Sequence, residues 1–307
     1  MTARYPRTML GTCCIPWRDG VLDRALFERS IRNLVSAGLK DLYIFGTAGE
    51  GHAVTEAQFR DVTRLFVETI RAAGGAPPMV GVINLSLPTV LERIAFAADL
   101  GVKTFQFCLP AWGAISDTEV RQVFAAVCDT YPHLQFLHYN LGRTGRLVRP
   151  DEYAVLAERH PNLVAIKYGL GDPETIAGLM RTAPKLRCFF TEPGFYLGAP
   201  LGECGLLASI SASNPRRAWE YFNAGASGDA QKLSELYREL AGVMAAVRRA
   251  AGGFGRTDGA YDKLVSKLAD PAFPLELLPP YEGASDAGFS RYRDEVATHY
   301  PGWMPTH

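Results

Sequence analysis

The sequence lacks an excess of charge of either sign: its 307 residues carry 32 Lys and Arg against 32 Asp and Glu, with no long run of either. That balance leaves no electrostatic footprint for nucleic acid or anionic lipid, so small-molecule chemistry leads. Also missing is an apolar run long enough to span a bilayer, and the first residues, Met1-Thr-Ala-Arg-Tyr-Pro-Arg, have no hydrophobic stretch of the signal-peptide kind. We expect a cytoplasmic protein that meets neither membrane nor nucleic acid. Cysteine is sparse and unpatterned: Cys13, Cys14, Cys108, Cys128, Cys188 and Cys204 form no CxxC pair and no zinc-ligand spacing, so they are expected to be small buried apolar residues. None of the six histidines has ligand spacing either, and neither a metal nor a cofactor is expected.

What is present is alternation. Short apolar runs rich in β-branched and aromatic residues, Met9–Cys14, Asp41–Phe45, Met79–Asn84, Lys103–Leu109, Leu134–Tyr139, Leu163–Tyr168, Arg187–Thr191 and Gly205–Ser209, are separated by stretches of helical period. Thr55 with Gln58 and Ser116 with Glu119 have capping-box spacing, while Pro88, Pro150, Pro173 and Pro215 sit where a first helical turn tolerates proline. Gly38 and Gly101 follow the ends of apolar-periodic segments. Eight βα units in about 220 residues predict an α/β protein with a closed (β/α)8 TIM barrel. An open dinucleotide-binding sheet would want a glycine fingerprint after the first strand, and Gly11-Thr-Cys-Cys-Ile-Pro is not one. Residues 1–225 are therefore expected to form the barrel and residues 226–307 a C-terminal helical extension, with helices over Ala230–Ala250, Asp258–Leu268 and Asp286–His299.

In a barrel enzyme the site lies at the C-terminal strand ends, so the reactive side chains that fall there are the candidates. Strand two runs into Gly46-Thr47-Ala48-Gly49-Glu50-Gly51, strand four into Pro110-Ala111-Trp112, strand five into Tyr139-Asn140, and strand six into Lys167-Tyr168-Gly169. Along strand six, Leu163, Ala165 and Lys167 alternate with Val164 and Ile166, which predicts that Lys167 faces the barrel interior. Leu137 and Tyr139 share one face of strand five and His138 takes the other, which sets Tyr139 beside the lysine. A lysine in an apolar interior has a lowered pKa and supplies a neutral amine that attacks a carbonyl. The iminium so formed is an electron sink, a phenol moves the proton, and Thr47 relays it. Each residue alone also has a plainer reading: Lys167 as a strand-end lysine reaching solvent, Tyr139 as an amphipathic packing residue, and the glycine-rich turn as a tight connection. Glu192, after strand seven, reads either as a contact to a hydroxylated substrate or as a solvated helix-start carboxylate.

Taken together, GTAGEG at 46–51, HYN at 138–140, RTG at 143–145 and IKYG at 166–169 resemble the dihydrodipicolinate synthase / N-acetylneuraminate lyase family. The likeness extends to the MLGTCCIPW start and the LLPPYEG segment near the end. The resemblance implies a class I, lysine-dependent aldolase or lyase acting on pyruvate or a related 2-oxo acid, usually as a homotetramer, here expected as a tetramer or dimer. It implies Lys167 as the Schiff-base lysine, Tyr139 as the proton-relaying tyrosine and Thr47 as its hydroxyl partner. The arginine that contacts the second substrate in the synthases matches Arg143, in a Tyr139-Asn-Leu-Gly-Arg-Thr-Gly segment one residue shorter than the family's.

Two departures bear on the substrate. Ala48 stands where the family has a second hydroxyl that helps hold the 2-oxo acid's carboxylate, and Trp112 stands near a tyrosine that crosses a subunit interface. A tryptophan there resembles the hydratase-aldolase branch, which cleaves benzylidenepyruvates. We count Ala48, Gly49, Trp112, Arg143, Glu192 and Ser209 as candidate substrate-binding positions. The expected activity is making or breaking a carbon–carbon bond, with hydratase-aldolase or dehydratase chemistry open. The alternatives are dihydrodipicolinate synthase proper and a catalytically idle 2-oxo-acid binder.

Overall fold

The computed structural model describes residues 3–305, so residues 1, 2, 306 and 307, the outermost of the two regions expected above, lie outside it. Eight strands, β1 (Met9–Thr12), β2 (Asp41–Ile44), β3 (Met79–Gly81), β4 (Thr104–Phe107), β5 (Gln135–Asn140), β6 (Leu163–Tyr168), β7 (Arg187–Phe190) and β8 (Gly205–Ala208), form a closed parallel barrel. Each pairs with its sequence neighbour, and β1 pairs with both β2 and β8 to complete the ring. All eight expected strands are present, several ending one to three residues early because the chain turns into the loops that make the mouth. A two-stranded ribbon, Trp17–Arg18 with Val21–Leu22, sits outside the barrel.

Eight helices alternate with the strands: α1 (Arg24–Ser36), α2 (Glu56–Ala72), α3 (Leu87–Asp99), α4 (Asp117–Cys128), α5 (Pro150–Arg159), α6 (Pro173–Thr182), α7 (Glu192–Gly198) and α8 (Pro215–Ser227). Their starts follow the local chemistry. Thr55 and Ser116 each close a full capping box, and the four prolines occupy first-turn positions where no backbone donor is lost. Three further helices, α9 (Ala230–Ala250), α10 (Asp258–Ala269) and α11 (Asp286–His299), follow, with α8 and α7 packed on α9. Among the described residues no helix is long and apolar enough to cross a membrane.

Alternation divides the strand residues between two cores. Phe105, Phe107, Phe136, Ile166 and Phe190 pack outward against the helices, while Leu10, Tyr43, Met79, Leu137, Ala165, Phe189 and Leu207 fill the interior. One expectation fails here. A bulge between β5 and β6 pairs Phe136 with Leu163 but Leu137 with Ala165, so Leu163 joins the outer core and Val164 the inner one. Strict alternation cannot survive an inserted residue. It resumes at Ala165, and Lys167 faces inward. All six cysteines are free and buried.

Candidate active site

The site grows from two adjacent strands. Tyr139 and Lys167 are direct partners across β5 and β6, which brings the amine to 3.9 Å from the phenol ring's centroid. Lys167 is only 2% exposed and donates a hydrogen bond of 3.0 Å to the hydroxyl of Tyr43, from β2 across the barrel. Burial pushes the Lys167 amine down to about 8, against the opposing pull of the Asp258 and Asp262 charges. Burial likewise holds the Tyr139 and Tyr43 phenols well above the ordinary tyrosine value. Beside Tyr139, Cys108 and Ile83 supply the apolar packing.

The turn after β2 is shaped by close approaches. A Cβ on Gly46 would stand 2.8 Å from the ring of Tyr43, the residue whose hydroxyl receives the Lys167 amine, so glycine here keeps that ring in place. One on Gly49 would meet the Phe45 backbone nitrogen at 2.7 Å; Gly49 thus serves the tightness of the turn. Phe45 and Glu50 hold φ values of 58° and 56°, the left-handed region that non-glycine residues seldom enter. Arg93 braces the turn from behind, donating to the carbonyls of Gly51 (3.0 Å) and Ile83 (2.7 Å).

Thr47, carried by this turn, has its hydroxyl 3.4 Å from that of Tyr139 and donates to Oδ2 of Asp258. The Tyr139 hydroxyl lies 3.5 Å from the same oxygen. Asp258 opens α10, and one helical turn further Asp262 reaches the cavity, its carboxyl pushed up to about 7 by burial and the Asp258 charge, with the Ser209 hydroxyl opposing. Neither aspartate stood out in the sequence. Tyr43 was missed as well.

Above the amine opens a cavity of about 570 Å³. Tyr43, Ala48, Tyr139, Lys167, Asp258 and Asp262 line it, together with Arg143, Glu192 and Ser209. Arg143 sits 3.8 Å from Asp258 and donates to the Arg256 carbonyl. Glu192 is buried, accepting from the amides of Ser209 (2.9 Å) and Ile210 (3.4 Å). It is not a solvated helix-start carboxylate. Trp112 is 89% exposed and stands outside this lining; the apolar wall comes instead from α9 and the loop after it, through Val243, Met244, Val247 and Phe254.

The family model described as the dihydrodipicolinate synthetase family matches residues 8–252. The chain belongs to this family. It is 26% identical over 247 residues to a 4-hydroxy-tetrahydrodipicolinate synthase of Thermotoga neapolitana, covering 78% of this chain and 82% of that one. The fold is shared with YagE, a prophage protein of the dihydrodipicolinic acid synthase family from E. coli K12 solved with pyruvate, at a TM-score of 0.85 and 17% identity over 95% of this chain and 97% of that one. It is shared also with a dihydrodipicolinate synthase of Thermotoga maritima, at a TM-score of 0.81 and 24% identity over 97% and 99%. As a family member the chain is a class I aldolase or lyase, working through a lysine iminium on pyruvate or a related 2-oxo acid.

Proposed function

We propose that Lys167 is the nucleophile, that Tyr139 moves the proton with Thr47 as its hydroxyl partner, and that the 2-oxo acid carries, or is joined to, a bulky apolar fragment. The observation that carries this reading is the Lys167 amine itself, buried at the floor of an open cavity and pushed down to about 8. A neutral amine attacks the C2 carbonyl, water leaves, and the resulting iminium accepts the electron pair of the bond broken at C3–C4. Tyr139 lies at the same depth, in position to take or return the proton.

The other candidates divide by position. Backbone amides around Ala48 and Gly49 face the substrate carboxylate, Arg143 meets the outer end of the fragment, and Glu192 and Ser209 form one side of its channel. Val243, Met244, Val247 and Phe254 support an apolar fragment. We place the protein in the cytoplasm as a homo-oligomer, dimer or tetramer. Borohydride reduction in the presence of pyruvate is expected to add a stable mass to the peptide containing Lys167. An unlabelled peptide under conditions that trap a known aldolase would overturn this reading.

A further inference from the structure

We infer that Asp258 is the proton acceptor behind Tyr139, so that one chain carries the proton relay from the reacting carbon to a part-exposed carboxylate. The inference rests on Lys167 forming an iminium with pyruvate. Three oxygens meet at one point: Oδ2 of Asp258 accepts from the Thr47 hydroxyl, the Tyr139 hydroxyl lies 3.5 Å from it, and the two hydroxyls are 3.4 Å apart. The two long edges are of the kind that tighten when the reacting groups engage. Lys167 lies directly beneath, against the Tyr139 ring.

The placement of the carboxylate is specific. Asp258 is the first residue of α10, yet the residue ahead of it, Thr257, makes no side-chain cap and Asp258 turns away to the barrel hydroxyls. Its side chain is 38% exposed, with the Arg143 guanidinium 3.8 Å from its other oxygen. It thus meets the buried phenol through one oxygen and is part-exposed beside Arg143 through the other. Of the other two carboxylates in the cavity lining, Glu192 accepts from the Ser209 and Ile210 amides, while the hydrogen bonds of the Thr47 and Tyr139 hydroxyls run to Asp258 and not to Asp262.

A phenol held well above its ordinary pKa does not ionise unaided near neutral pH. It takes a proton from carbon only as it gives its own away. In the forward step the C3–H bond of the iminium breaks, a new O–H bond forms on Tyr139, the former Tyr139 proton passes to Asp258, and the C–H electron pair becomes the enamine double bond as the iminium π pair moves to nitrogen. After the enamine adds to an aldehyde, the proton returns by the same path to the new alkoxide. Charge and protons balance with no other reactant.

The test uses the intact protein, pyruvate and D2O. Two quantities are measured for wild type, Asp258→Ala and Asp258→Glu: borohydride trapping on Lys167, and exchange of the pyruvate methyl hydrogens for deuterium. The expected result is that Asp258→Ala still traps pyruvate, loses exchange by about a hundred-fold or more, and regains part of it with added formate, while Asp258→Glu keeps part of it unaided. Exchange by Asp258→Ala within about threefold of wild type would overturn the role of Asp258 and leave that of Lys167 standing. Loss of trapping in both variants, with no rescue by formate, would also overturn it, by making Asp258 a structural group. Wild type that traps no pyruvate would sink the Lys167 reading beneath it.

Discussion

Glu50 and Lys263 form an ion pair of 2.6 Å with side chains 1% and 0% exposed, and it ties the glycine-rich turn to α10. The same two residues hold the segment beyond: the Leu278 amide donates to Glu50 at 2.6 Å, and Lys263 donates to the Glu276 carbonyl. The pair therefore fixes the turn that carries Thr47 against the helix that carries Asp258. Burial raises the Glu50 pKa despite the neighbouring ammonium, the mark of charges held at a desolvation cost. Removing one partner strands the other. Glu50→Gln or Lys263→Met alone is expected to lower the unfolding free energy by about 3–5 kcal/mol, and replacement of both by methionine by less than either. Urea unfolding of the three variants checks this, and single losses below about 1 kcal/mol would contradict it.

The Lys167 amine sets a pH dependence. A drop from 10.5 to about 8 raises the neutral fraction at pH 7 by about 300-fold, yet still leaves most of the amine protonated there. Since only the neutral amine attacks a carbonyl, the rate of iminium formation is expected to rise with pH and level off above about 8. Asp262, pushed up to about 7, ionises lower in the same range, and its negative charge favours the protonated amine, so Asp262→Asn is expected to shift the rise to lower pH. Trapping rates between pH 6 and 10 decide the matter; a flat profile would mean that the amine is neutral throughout.

The apolar wall predicts selectivity. Phe254 is 84% exposed yet lines the cavity, and its neighbours Gly253 and Gly255 have φ values of 101° and 93°. Phe254→Ala and Met244→Ala are each expected to lower kcat/KM for retro-aldol cleavage of a benzylidenepyruvate by about five- to twentyfold, the size of a lost aromatic or thioether contact, with pyruvate trapping unchanged. Equal losses on both readouts would place these side chains in folding and not in selectivity.

The barrel and the meeting of Tyr139 with Lys167 in the candidate site were legible in the sequence because both follow from short-range periodicity. Once β5 and β6 are adjacent parallel strands, Tyr139 and Lys167 must meet at one end of one face, and they do. The bulge at Val164 broke the pattern without moving Lys167, since it lies at the far end of the strand. Asp258 and Asp262 were illegible for the opposite reason. Asp258 meets Thr47 across 211 residues of chain through the packing of α10 on the turn, and in sequence it is a charged residue at a helix start like many others. Tyr43 was hidden because a four-residue strand reading Asp-Leu-Tyr-Ile does not say which side faces in. Trp112 marks the limit of such reading: its place after a strand end says nothing of the direction in which the loop carries it.

The last prediction concerns the carboxylate of the 2-oxo acid. Ala48 is buried in the lining and offers no hydroxyl, while the Thr47 hydroxyl is already committed to Asp258. If the turn receives the carboxylate as proposed, it has backbone amides alone to do so. A hydrogen bond to a charged group is worth about 1.5–3 kcal/mol, so Ala48→Thr is expected to tighten pyruvate binding by about ten- to a hundred-fold, read as the pyruvate concentration that half-saturates borohydride trapping. The natural protein is accordingly expected to be a poor dihydrodipicolinate synthase. Its kcat/KM for pyruvate with aspartate semialdehyde should fall below that for cleavage of a benzylidenepyruvate, whose apolar ring gains from Val243, Met244 and Val247 what the carboxylate loses at Ala48. If the synthase reaction is the faster of the two, or if Ala48→Thr leaves half-saturation unchanged, the turn's amides hold the carboxylate unaided and the assignment of Ala48 is wrong.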